Sequence, residues 1–242
     1  MNFKKISAFL LALICLSISI DSYAFVVDKM VVISDEKGNG ILTLTNDENN
    51  PIFINSEIEE LNINSKGDIL KEKYSRDNLE KWKISLTHQK LVLNPGEEKD
   101  IGIRSLCYNT SCDDAKDLMF MLSFTPSKYQ PGDEVSGIDI NYGFAPVYII
   151  PTSNPHYSYK IVNEGSKLIV ENDSNTLINV FVDSCNANKT KNCKQKFIIV
   201  AGRHKKFNLP ESMRSDKLKI TVTSYDRSYS KKETVVKGKV DA

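Results

Sequence analysis

The sequence predicts an all-β protein built as two β-sandwich domains, and three observations carry this. Apolar residues alternate with polar ones over short runs, the period of a strand with one buried face. Clusters of Gly, Pro, Asn and Asp separate these runs at spacings of roughly 8–12 residues, the rhythm of a sandwich. The chain has 242 residues, long for one small domain and comfortable for two β-domains of roughly 100 residues each.

Residues 1–24 read as a secretory signal. Lys4 and Lys5 precede an apolar run from Ile6 to Ile20, and Ser22-Tyr23-Ala24 places small residues at a cleavage site. The run is short for a bilayer span and meets Asp21 at once. Cleavage leaves 30 basic and 30 acidic residues. A neutral chain argues against a general nucleic-acid or membrane-surface binder, and no later apolar run is long enough to insert in a membrane.

The mature chain then runs as follows. Phe25 to Ile33 is one apolar strand carrying Asp28 and Lys29, and residues 35–40 turn. Leu42 and Leu44 share a face, residues 46–51 turn, and Ile52, Ile54, Ser56 and Ile58 share the next face. Residues 62–81 form a polar, solvent-facing excursion with weak strand character at Ile69-Leu70 and a short helical turn near 75–81. Trp82, Ile84 and Leu86 resume alternation, and Leu91-Val92-Leu93 enters the turn Asn94-Pro95-Gly96-Glu97. Ile101 and Ile103 alternate up to Arg104, and Phe120, Leu122 and Phe124 share a face before Pro126. A long strand over 136–151 closes the first half. Ile138, Ile140, Tyr142 and Phe144 point one way along it, and Val147-Tyr148-Ile149-Ile150 is apolar on both faces. After a turn at 151–155, strands are expected around Leu168–Val170, Ile178–Val182, Phe197–Val200, Phe207–Leu209, Leu218–Val222 and Val235-Val236.

Four cysteines remain after cleavage: Cys107, Cys112, Cys185 and Cys193. An even count in an exported chain reads as two disulfides. Three pairings are formally possible. The short-range one, Cys107–Cys112 and Cys185–Cys193, is favoured because each pair brackets a polar loop. The spacings do not suit zinc. His88, His156 and His204 are far apart, no nucleotide loop or hydrolase motif is present, and no metal or cofactor is expected. The runs Lys189–Lys196 and Arg203–Lys206 read as solvated loop faces. Nothing in the sequence supports an enzyme.

Several stretches together resemble the periplasmic chaperones of the chaperone–usher pathway, which assembles bacterial pili. They are the apolar first strand; Leu42-Thr43-Leu44-Thr45-Asn46-Asp47 with Pro51-Ile52; Leu91 to Gly96 with Ile101-Gly102-Ile103-Arg104; Asp117 to Leu122 ending at Pro126; and Tyr142 to Pro151. In the second half they are Lys167 to Asn175, and Val200-Ala201-Gly202 with Phe207 to Pro210. No single motif is specific; order, spacing and length carry the likeness, which is to the archaic and alternate branches.

The resemblance implies two immunoglobulin-like sandwiches in a boomerang arrangement, a pilin-binding domain at 25–151 and a second domain at 152–242. It implies a non-enzymatic periplasmic chaperone with pilin subunits and an outer-membrane usher as partners. The long strand over 136–151 would complete a pilin that lacks a strand, with Ile138, Ile140, Tyr142 and Phe144 filling its groove. Alternatively, these four face the protein's own core. Many members grip the pilin's terminal carboxylate with an Arg on the first strand and a Lys on the donor strand. Here residues 136–151 hold no cation, and Ala145 and Pro146 stand near the expected Lys. Lys29 and Arg104 are the anchor candidates, unless Arg104 pairs with an acid such as Asp117. A secreted two-domain adhesin or ligand-binding protein is the alternative function.

Overall fold

The computed structural model describes residues 25–64, 66–107, 112–128, 142–186 and 190–238. The expected signal at 1–24, and Ile138 and Ile140 of the expected donor face, lie outside these residues.

The first half contains β1 (Phe25–Val27), β2 (Val31–Ile33), β3 (Gly40–Asn46), β4 (Ile52–Ile63), β5 (Ile69–Lys73), β6 (Ile84–Leu86), β7 (Lys90–Leu93), β8 (Glu98–Ser105), β9 (Leu118–Lys128) and β10 (Val147–Ile150). One sheet runs β1-β3-β8-β6; the other runs β2-β10-β9-β4-β5, with β7 also paired to β4. The inward residues of both sheets, among them Leu42, Ile54, Ile103, Phe120, Phe124 and Tyr148, form one buried core. This is the sandwich that the alternation predicts.

The run 25–33 is two strands in different sheets, not one. Asp28 ends the pairing with β3: its N–H donates to the Thr43 carbonyl at 3.1 Å, and its carboxylate accepts the Thr43 N–H at 2.9 Å. Two residues on, the Met30 carbonyl accepts the Val147 N–H at 2.9 Å. Lys29 and Met30 therefore cross from one sheet to the other. The polar excursion contains β5, exposed along its whole length, and a 3-10 helix at Arg76–Lys81 capped by Ser75.

The second half contains β11 (Tyr159–Asn163), β12 (Lys167–Asn172), β13 (Ile178–Asp183), β14 (Lys194–Ile199), β15 (His204–Asn208), β16 (Lys217–Thr223) and β17 (Ser230–Val236). Its sheets run β11-β12-β15 and β14-β13-β16-β17 around a second, largely aliphatic core. The strand β11 was not among those expected: only Ile161 and Asn163 turn inward, too short a run to show a period. Lys194 and Lys196 lie on β14, where a solvated loop was expected. Both short-range disulfides form, Cys107–Cys112 and Cys185–Cys193.

The halves meet through a small apolar cluster of Met119, Ile149 and Leu177, flanked by Ile33, Ile63 and Val200. Asp117, 2% exposed, sits beside it. Its carboxylate accepts the N–H of Leu177 at 2.8 Å, the N–H of Thr152 at 3.0 Å and the Thr176 hydroxyl at 3.2 Å. Burial is the largest influence on this carboxyl and pushes it above the ordinary value, against the pull of the three donors. Asn175 adds to the clasp by donating from its side chain to the carbonyls of Ala115 and Asn154, at 2.9 and 3.0 Å.

Candidate functional site

The site begins where β10 loses one of its two neighbours. Over 147–149, β10 pairs with β2 in parallel on one side and with β9 in antiparallel on the other. The register with β9 continues backward without a slip. Phe144 stands opposite Phe124, and each donates its N–H to the other's carbonyl, at 3.0 and 2.8 Å. Leu122 donates to the Pro146 carbonyl at 2.9 Å. Pro146 has no N–H to return, so the ladder is interrupted there by chemistry, not by geometry.

The opposite side of this segment is open. The pleat turns the N–H groups of Gly143 and Ala145 away from β9, as it does those of Val147 and Ile149. The latter pair meets β2; the former pair has no backbone partner among the described residues. Gly143 makes the close approach to β9 possible, since a Cβ there would stand 2.7 Å from the Phe124 carbonyl oxygen.

Phe144 and Tyr142 share a face, and the structure separates them. Phe144 is half-buried and packs on the first core, its ring 5.6 Å from that of Phe25. Tyr142 is 79% exposed. The core therefore ends between these two residues. Nearby, Met30 is 51% exposed, so the open edge is bordered by apolar side chains in water.

Continuing the β2–β10 register backward by two residues sets Lys29 level with Ala145. Its ammonium pairs with Asp28 at 3.0 Å and remains about half exposed. Burial disfavours ionisation of Asp28, but the Thr43 N–H and Lys29 outweigh it and hold this carboxyl below its ordinary value. Arg104 is not brought to the same place. It lies on β8, two strands from β1 and four residues beyond Asp100, the partner of Thr43, a distance of about 13 Å along the strand. It is exposed on the outer face of its sheet, opposite Ser85. The pairing of Arg104 with Asp117 does not occur; the Asp117 carboxylate accepts from Thr152, Thr176 and Leu177. Among the described residues, no group of His, Cys, Asp and Glu has the geometry of a metal site.

Residues 27–151 match the family described as the CS5 fimbrial protein N-terminal domain. The chain belongs to this family. A relative from Escherichia coli, the "uncharacterized 25.9 kDa protein in CS5 3'region", is 24% identical over 192 residues, covering 78% of this chain and 82% of that one. The fold is that of the two-domain fimbrial chaperones. A chain from the Salmonella enterica SafA pilin–SafB chaperone complex superposes with a TM-score of 0.54 at 13% identity, covering 90% of this chain and 98% of its own. The E. coli chaperone DraB superposes with a TM-score of 0.52 at 14% identity, covering 89% and 97%.

Proposed function

We propose that this chain is a periplasmic chaperone that binds fimbrial subunits by lending them a strand and passes them to an outer-membrane usher. The observation that carries the reading is the open edge at 142–146, held in register by β9 and, among the described residues, unpaired on its other side. The family match and the chaperone fold support it. A subunit lacking one strand would take the free N–H and C=O groups of Gly143 and Ala145 as a ladder. Ile138, Ile140 and Tyr142 would enter its groove, at about 1.5–3 kcal/mol for each side chain fully buried. Phe144 would hold the root of the donated strand against Phe25 and meet the subunit with its remaining surface. The role is non-enzymatic. Residues 1–24 direct export and are removed, residues 25–151 form the subunit-binding domain, and residues 152–242 form the second immunoglobulin-like domain.

Lys29, level with Ala145, is the proposed grip on the subunit's terminal carboxylate. Gripping it means leaving Asp28, an exchange of one charge-assisted bond for another. Arg104 is the more distant candidate. The test is co-expression with the subunits encoded beside the gene, followed by recovery of the complex from periplasm. Ile140→Asp should abolish recovery while the chaperone keeps its melting temperature. Unchanged recovery would exclude strand donation through this face. Lys29→Ala should reduce recovery more than Arg104→Ala; equal recovery in both variants and wild type would remove the proposed anchor.

A further inference from the structure

The outer face of the sheet β14-β13-β16-β17 carries a recess of about 750 Å³. The pleat creates its lining. Val180, Val182, Phe197 and Ile220 turn into the core, so their neighbours along each strand turn outward. The register places Lys196, Phe181 and Lys232 in one row across the strands, and Lys194, Asp183 and Lys219 in the next. Phe181 forms an apolar floor, 37% exposed, with the Lys196 ammonium 5.4 Å from its ring centroid.

The charges here are not balanced within the fold. Asp183 pairs with Lys194 at 3.4 Å, and Glu233, also at the recess, pairs with Lys231 at 3.6 Å. Among the described residues, Lys196, Lys219 and Lys232 have no carboxylate within 4.0 Å. Neighbouring like charges on one sheet face oppose folding. Lys194 and Lys219 both draw on Asp183, so the ammonium groups outnumber the carboxylates, and an aromatic floor beneath that excess suits a ligand that is anionic and carries apolar groups.

We propose that this recess binds an extended acidic segment of a partner protein. The row of Lys196 and Lys232 and the row of Lys219 lie two residues apart along the strands, about 6.7 Å, which is the repeat between alternate side chains of an extended peptide. Carboxylates at alternate positions of such a segment would meet the lysines, and the methylene stems of those Glu side chains would lie on Phe181. A bilayer surface suits the site less, because the aromatic ring lies at the bottom of a recess and not on a protruding face. The recess belongs to residues 181–234 and the donated edge to residues 142–146, so the two readings stand or fall separately.

The probe is a fluorescein-labelled peptide of alternating Glu and Val, seven residues long by design, titrated into the full mature chain and followed by anisotropy. The triple variant Lys196→Glu, Lys219→Glu, Lys232→Glu should weaken binding by about tenfold or more. A control, Lys160→Glu, Lys205→Glu, Lys206→Glu, makes the same change of charge on the other sheet of this half and should stay within about twofold. If the first set lowers the melting temperature, the corresponding Lys→Gln set replaces it. Equal weakening in the control would show undirected charge attraction and overturn the proposal. So would absence of binding to the wild-type chain, or displacement of the peptide by phosphatidylglycerol vesicles that the recess variant no longer binds.

Discussion

Residues 147–150 and residues 142–146 are two parts of one strand in one register, and they behave as opposites. The first part has neighbours on both sides and buries Tyr148 and Ile149 completely. The second has β9 on one side and nothing described on the other. Side-chain pattern does not separate them, for Tyr142, Phe144 and Tyr148 all have the same parity. What separates them is where β2 stops. A neighbouring strand three residues long covers the stem, and the chain leaves that sheet at Met30. An edge can thus be made by ending a neighbour early, without altering the strand that becomes the edge.

Substitutions along this strand should grade in the same way. Tyr148→Ala should have the largest effect, about 3–5 kcal/mol in chemical denaturation, because a wholly buried ring is removed. Tyr148→Phe should cost about 1–3 kcal/mol, since the Gly38 carbonyl loses the hydroxyl that donates to it at 2.6 Å.

The clasp just beyond the stem comes next. Asp117→Asn keeps the shape but turns an amide toward backbone N–H groups, and should cost about 1–3 kcal/mol. Its pH dependence has a definite sign. A carboxyl raised above its ordinary value binds its proton more tightly in the folded state. Stability should therefore fall as pH rises from the ordinary value of 3.8 through the folded one, and level off above it. The Asn variant should lack that slope. Asp114, lowered chiefly by its bonds from Ser153, contributes the opposite slope, lost as pH falls through its folded value.

Phe144→Ala should cost about 1–2 kcal/mol, as a half-buried ring leaves Phe25. Tyr142→Asp should change stability by less than about 0.5 kcal/mol and yet abolish subunit recovery. A matching loss of stability would place Tyr142 in the core and erase the contrast. A small effect is also expected for Pro146→Ala. It offers Leu122 a donor and loosens the unfolded chain, so the net change should stay within about 1 kcal/mol. Hydrogen exchange should then show a protected amide at position 146.

Much of this was legible in the sequence for a stated reason. Phe120, Leu122 and Phe124 alternate because β9 has one inner face, and Asn94-Pro95-Gly96 turns because Gly96 takes a φ of +72°. The division of residues 25–33 was not legible. Its apolar run is continuous, and the break depends on Asp28 finding Thr43 in a strand far along the chain. The unequal exposure of Phe144 and Tyr142 depends on Phe25 in the same way. Asp117 was weighed only as a partner for Arg104, and its role in the clasp was hidden because its partners lie 35 and 60 residues away. The lysine-lined recess was not legible because its members come from four strands that only the register aligns.

The parallel contact between β2 and β10 joins Val31 to Val147, 116 residues apart. Contacts of such separation close late, because the chain between them must first be confined. For a chain emerging from its N-terminus, β1 finds its partner β3 within about 20 residues, whereas β2 waits with Val32 uncovered until β10 is present. Until β2 docks, residues 147–149 are open on the same side as residues 142–146, so the docking of β2 is what confines the edge to the latter.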